Sequence, residues 1–262
     1  MEERLKNKPA DSSPPPLIRL EGVHKFYGKV HAVRGVDLEV YPGEVVGLIG
    51  DNGAGKTTLV KIVSGVIPKS RGKIFWKGAE VDITSVKKSR SLGIETVYQD
   101  RAVINELSVA QNVFMGREPL KSLGPIKWLD KDKMRKEALK LSRQLNLRIP
   151  STEQEVRFCS GGEMQGVAIS RAMYFKASLI ILDEPTTALA VSGVRRVLDF
   201  IKRLKEENIA CIFVSHNLND VYASADRFVV MVHGKVIAEK RKDEVNVDDL
   251  INLQLTEASK TP

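Results

Sequence analysis

The sequence predicts an α/β fold, a parallel sheet with helices packed on its faces. Three stretches, EVVGLI (44–49), SLIILD (178–183) and ACIFVS (210–215), are nearly all apolar, as strands covered on both faces must be. Helical spacing follows the first two, over TTLVKIVSGV (57–66) and over 192–207. Residues 100 to about 158 change character, with a helical pattern and no strong strand, so they read as a helical lobe inserted into the sheet.

Residues 1–16 are polar and end in three prolines, which predicts a disordered or extended tail. LIRLEGV (17–23) alternates as a strand does, and structure should begin there. GVDLEVYPGEVVGLIG (35–50) reads as two strands joined by a turn at Pro42-Gly43. The helix of 57–66 has a glycine near its end. GKIFWKG (72–78) and GIETVYQ (93–99) read as strands. Within the lobe, Gly124-Pro125 marks a loop, and MRKEALKLSRQLNL (134–147) is an amphipathic helix. A helix over 161–175, the strand 178–183, a helix over 192–207 and the strand 210–215 restore the α/β alternation. A short helix from about 217 and the hairpin RFVVMVHGKVIAE (227–239), turning at His233-Gly234, complete it. Signals weaken from 249 on. The expected organisation is one unit over 17–245 and a C-terminal tail over 246–262, with no internal repeat.

With 262 residues and 42% hydrophobic content, the chain can bury one large core. Its net charge of +8 fits nucleic acid, an anionic membrane surface or a phosphate-rich ligand, and equally a lysine-rich solvated surface. Lysines interleaved with glutamates, as in KRLKEEN (202–208), favour the solvated surface. Cys159 and Cys211 have no metal-ligand spacing and read as reduced thiols. The N-terminus lacks the apolar core of a signal peptide, and no apolar run approaches the roughly 20 residues that span a bilayer. Any membrane role is therefore expected to come through a partner.

GDNGAGKTT (50–58) follows an apolar strand and opens a helix. Gly50, Asp51, Asn52, Gly53, Ala54 and Gly55 can curl the backbone so that successive N–H groups face phosphate oxygens. Lys56 would reach the β- and γ-phosphates, the Thr57 hydroxyl would bind Mg²⁺, and Thr58 follows in the first turn. A plain glycine-rich turn is the alternative; the strand before and the helix after favour nucleotide. Asp183 and Glu184 end an apolar strand, where ligands bind in such sheets. Asp183 can hold Mg²⁺ and Glu184 can take a proton from water. A solvated strand end is the bland alternative, and the phosphate loop argues against it. FCSGGEMQG (158–166) has the form of an anion site at a helix start, yet contains no lysine or arginine. Ser160-x-x-Glu163 within it is also a capping-box pattern.

The phosphate loop, Gln99 after an apolar strand, the SGG stretch, LDEP and SHN (215–217) occur in an order that resembles ABC-type ATPases over about residues 17–240. The resemblance implies a P-loop core with an antiparallel β subdomain and an inserted helical subdomain. It implies that Tyr27 stacks on adenine and that Glu184, His216 and Gln99 serve catalysis. Thr57, Gln99 and Asp183 would meet Mg²⁺. Ser160, Gly161, Gly162 and Glu163 would face the ATP of a second copy, so that Lys56 of that copy and Mg²⁺ supply the charge missing from this stretch. ATP and Mg²⁺ are the implied cofactors. Implied partners are a polytopic membrane permease, a periplasmic or extracellular solute-binding protein and an ATP-dependent second copy, with no nucleic acid. The implied location is the cytoplasmic face of the inner membrane, held peripherally. GIETVYQD, FMGRE (114–118), SGGEMQGVAISRA and DEPTTALAV resemble the monosaccharide-importer branch, in its single-domain, fructose-type form. Three positions depart from the family's usual pattern: Glu163 for glutamine, Gly166 for arginine and Ala190 for aspartate. The last two fit the sugar-importer branch. An ABC-type ATPase for another solute is an alternative, as is one acting on nucleic acid or ribosomes, but the lobe is too short for a long coiled coil and only one ATPase unit is present. A GTPase would carry N-K-x-D, which is absent.

Overall fold

A computed structural model of the chain describes residues 15–98, 103–187 and 189–258. The expected tail over 1–16 falls almost wholly outside these residues. Strands β1 (Ile18–Tyr27) and β2 (Val30–Val40) pair antiparallel, and the Pro42-Gly43 turn leads into β3 (Val45–Ile49). Helix α1 (Lys56–Val63), strands β4 (Arg71–Trp76) and β5 (Ala79–Glu80), helix α2 (Val86–Leu92) and strand β6 (Ile94–Val97) follow. Next come α3 (Val109–Phe114), a hairpin of β7 (Leu120–Leu123) and β8 (Ile126–Leu129), α4 (Lys131–Gln144) and α5 (Gly161–Tyr174). The last part runs through β9 (Leu179–Asp183), α6 (Val191–Glu206), β10 (Ala210–Val214), α7 (Leu218–Ser224), β11 (Arg227–Val232), β12 (Lys235–Arg241) and α8 (Val247–Ala258).

The main sheet has the order β12-β11-β3-β10-β9-β6. Its pairs are parallel except β11 with β12, which turn tightly at His233-Gly234. A second sheet, β2-β1-β4-β5, is antiparallel throughout. Every residue of β3, β9 and β10 is buried, which accounts for their unbroken apolar sequences. Alternate residues of these strands serve two different cores. Val46, Leu48, Leu179, Ile181 and Ile212 join α1 and the antiparallel sheet in one. Val45, Ile49, Ile180, Leu182 and Phe213 meet α5, α6, α7 and Leu250 of α8 in the other. A third core of Val109, Val113, Phe114, Met134, Ala138, Leu141 and Val167 packs α3, α4 and α5 together.

Three elements differ from expectation. Residues 120–129 form a hairpin rather than a strandless loop, with Gly124 (φ 64°) and Pro125 at its turn. The stretch from 247 is a helix, not a weakly structured tail. Helix α2, capped by Ser85 at its start and by Gly93 (φ 89°) at its end, had no counterpart in the sequence reading. Among the described residues no helix is long and apolar enough to cross a membrane.

Candidate functional site

The site lies where β3 and β9 end. After Ile49 the chain turns through Gly50, and a Cβ there would stand 2.2 Å from the Met231 carbonyl oxygen. Gly53 and Gly55 have φ of 83° and 100°, a left-handed backbone that glycine adopts freely. Gly55 caps α1 with no side-chain acceptor, so the first-turn N–H groups remain open to an anion. The loop is tied down from outside: the Gly234 N–H donates to the Ala54 carbonyl at 2.9 Å, and the Arg34 N–H donates to the Gly234 carbonyl at 2.7 Å. The hairpin turn at His233-Gly234 therefore buttresses the loop.

Lys56 is 7% exposed and curls back into its own loop. Its Nζ donates to the Gly50 carbonyl at 2.5 Å and to the Asp51 carbonyl at 3.1 Å. Burial lowers its pKa, and the opposing pull of Glu184, Asp183 and Asp51 shows that the two strand ends share one field. Thr57 is exposed at the start of the helix, and Thr58 is half-buried.

Asp183 ends β9 and is 4% exposed. Burial, then the neighbouring Glu184, pushes its pKa up to about 6. Its Oδ1 is buried and accepts no hydrogen bond among the described residues. An orphaned carboxylate oxygen beside a phosphate loop suits a cation. Among the described residues no cluster of three or more His, Cys, Asp or Glu could hold a metal. Mg²⁺ does not need one, because it takes one or two protein oxygens and completes its shell with water and phosphate. Asp183, with the Thr57 hydroxyl, fits that demand.

Glu184 adopts φ 52°, an uncommon conformation for a residue with a side chain, held by its N–H bond to the Val214 carbonyl at 2.9 Å. Its Oε2 accepts from His216 Nδ1 at 2.8 Å, from Thr187 Oγ1 at 3.2 Å and from Ser215 Oγ at 3.3 Å. A carboxylate acceptor puts the proton on Nδ1 and leaves Nε2 as the free ring nitrogen. The His216 side chain is 62% exposed, so this nitrogen can face a ligand. Ser215 and Thr187 were not singled out by sequence. Ser215 stands inside the quoted SHN, and its burial to 1% is the signal that only the fold supplies.

Ser160, Gly161, Gly162 and Glu163 stand at the start of α5. Among the described residues no hydrogen bond or ion pair joins them to the phosphate loop. The capping box is present: Ser160 N–H donates to Glu163 Oε2 at 2.7 Å, and Glu163 N–H donates to Ser160 Oγ at 3.4 Å. The stretch is less devoid of positive charge than its sequence suggests. A Cβ on Gly162 would lie 2.3 Å from Arg196 Nη2 of α6, so this guanidinium covers the helix start. Gly166 is explained by packing, since a Cβ there would lie 2.3 Å from Leu147 Cδ2. Tyr27 ends β1, 45% exposed, with the Lys25 ammonium 5.4 Å from its ring centroid. Gln99 lies outside the described residues.

The family described as "ABC transporter" matches residues 33–187. The chain is 43% identical over 234 residues to a xylose/arabinose import ATP-binding protein of Sulfolobus acidocaldarius, covering 89% of this chain and 92% of that one. It is 38% identical over 240 residues to a fructose import ATP-binding protein of Rhizobium meliloti, covering 90% and 92%. It spans about half, 48%, of a ribose import ATP-binding protein of Caldanaerobacter subterraneus, at 35% identity over 92% of this chain. Among solved structures, a nucleotide-free ATP-binding cassette from an ABC transporter superposes with a TM-score of 0.80 at 25% identity, over 94% of this chain and 98% of that one. Another such cassette, in its ADP conformation, also gives 0.80 at 25% identity, over 95% and 100%.

Proposed function

The chain belongs to the ABC transporter family, and on that premise we propose that it is the ATP-hydrolysing subunit of an importer that drives monosaccharide uptake through a separate membrane permease. The xylose/arabinose, fructose and ribose import relatives support the substrate class. A permease, a solute-binding protein outside the membrane and a peripheral position at the cytoplasmic face belong to the same reading.

One observation carries the hydrolytic role: Glu184 Oε2 gathers three donors beside the orphaned Asp183 oxygen, next to Lys56. In this reading the loop N–H groups and Lys56 grip the phosphates of ATP. When bound, Mg²⁺ at Thr57 and Asp183, with Gln99, supplies charge neutralisation. Glu184 accepts the proton of the water that attacks the γ-phosphorus. His216 holds Glu184 through Nδ1, and Nε2, when it also carries a proton, donates to the γ-phosphate. Tyr27 gives adenine a stacking surface. The start of α5, with Ser160, Gly161, Gly162 and the capping Glu163, receives the γ-phosphate held by a second copy. Glu184→Gln should slow hydrolysis by about 10²- to 10⁴-fold, the usual worth of a general base, while nucleotide binding persists. Near-normal turnover of that variant would remove Glu184 as the base.

A further inference from the structure

Among the described residues the hairpin β7–β8 joins no other sheet. A lone two-stranded hairpin is marginal in water and has no core to bury, so polar side chains are expected on it. It reads LKSLGPIKWL instead. Leu120 is 55% exposed, Ile126 56%, Trp128 56% and Leu129 46%. The register puts Leu120 opposite Leu129 and Ser122 opposite Lys127 on one face, and Lys121 opposite Trp128 on the other. Each face therefore joins large apolar side chains to one lysine. No acid lies between 120 and 129, and Lys121 and Lys127 are the only charges there. The base is fixed: the Asp130 N–H bonds the Pro119 carbonyl at 2.8 Å, and Arg117 is paired with buried Glu95 at 2.6 Å and stacked 3.3 Å over the Phe175 ring.

We propose that this hairpin rests on the anionic surface of a lipid bilayer, with Trp128, Ile126, Leu120 and Leu129 at the headgroup boundary and Lys121 and Lys127 against lipid phosphates. Tryptophan and lysine both settle at that boundary, apolar body inward and polar tip in water. A rigid acidic protein would satisfy the lysines but cover one face of the ribbon. The apolar side chains occupy both faces, and a fluid interface can surround them. The strand edges stay at headgroup depth, where water still reaches their unpaired backbone groups. The inference rests on the reading of the chain as a peripheral subunit of a membrane transporter.

Of the two tryptophans, Trp76 is 6% exposed, so changes in emission on adding vesicles report on Trp128. The full chain should show a blue shift and co-sediment with phosphatidylcholine vesicles that contain phosphatidylglycerol, and neither with phosphatidylcholine alone. Replacing Lys121 and Lys127 by glutamine should weaken binding about thirtyfold, the effect of two lysines at an anionic surface. Replacing Lys87 and Lys88, exposed on α2, should change little. Equal losses from both lysine pairs would reduce the effect to diffuse charge and overturn the proposal. So would the absence of any shift in a chain that still hydrolyses ATP, or a shift seen only with detergent-purified permease. A chain that binds vesicles through Trp128 yet has no ATPase activity would instead sink the importer reading and leave the hairpin contact standing.

Discussion

Asp183 keeps a carboxylate in a site that disfavours its charge. Its folded pKa of about 6 lies above the ordinary aspartate value of 3.8, because burial and Glu184 favour the protonated form. Between those values the folded chain binds more protons than the unfolded one, so stability from this group is full below pH 4 and lost as pH rises through 6. Without nucleotide, Asp183→Asn should therefore raise stability at pH 7.5 by about 1–3 kcal/mol, with the gain fading towards pH 4. Thermal melts of both proteins across that range measure it; a pH-independent difference would mean the carboxylate is not strained by burial. The same variant should lose Mg²⁺-dependent stabilisation by ATP. Glu163 presents the opposite case. Its carboxylate is already used by the Ser160 N–H at 2.7 Å, turned back on the helix start. A glutamine can accept the same bond without bringing negative charge towards a phosphate. Glu163→Gln should keep or raise steady-state ATPase activity, and a large fall would reveal a role for the charge.

Helix α8 closes the second core through Leu250, which is fully buried. Leu250→Ala should destabilise the chain by about 2–5 kcal/mol, read as a lowered midpoint in urea. A shift within error would mean that α8 is detachable. The sequence hid this helix because only Leu250 and Gln254 of its described side chains are buried, which leaves a weak periodic signal. Helix α2 was missed for a similar reason, since Ser89 is its only buried residue. The hairpin β7–β8 buries none of its described side chains in β8, so no alternation marked it. By contrast β3, β9 and β10 were legible, as burial on both faces admits only apolar residues. The phosphate loop, Asp183-Glu184 and the capping box were legible because each is built within a few consecutive residues. Three contacts were not: Ser215 and Thr187 on Glu184, and Arg196 over Gly162. Ser215 and Arg196 reach their partners from separate elements, and spacing in one sequence carries no record of such meetings; Thr187 stands three residues after Glu184, in a loop where no periodic pattern marks the contact.

At the scale of the molecule, the start of α5 calls for something outside the chain. Among the described residues no hydrogen bond or ion pair ties it to the chain's own phosphate loop, and the two most exposed of their large apolar side chains border it. Phe158, two residues before Ser160, is 71% exposed, and Val191, one residue after Ala190, is 86% exposed. Helices α5 and α6 meet near these ends, where a Cβ on Gly162 would lie 3.4 Å from Gly193 Cα. The start of α5, Phe158 and Val191 thus share one edge of the molecule. A self-complementary contact about a two-fold axis would bury that edge twice and bring each α5 start to the other copy's ATP. With a net charge of +8 on each copy, apolar contact and bound nucleotide must offset repulsion between like-charged chains. Ala190 lacks the carboxylate usual in the family, so a contact there would rest on Val191 rather than on a polar bond. In a Glu184→Gln background with Mg²⁺-ATP, the chain should dimerise in sedimentation velocity. Adding Val191→Glu should weaken that dimer by roughly a hundredfold, because two apolar contacts are lost at about 1.5 kcal/mol each. Affinity of the monomer for nucleotide should stay unchanged, since Val191 belongs to no part of its own phosphate site. If the Val191→Glu chain still dimerises at the same ATP and protein concentrations, the two copies do not meet along this edge.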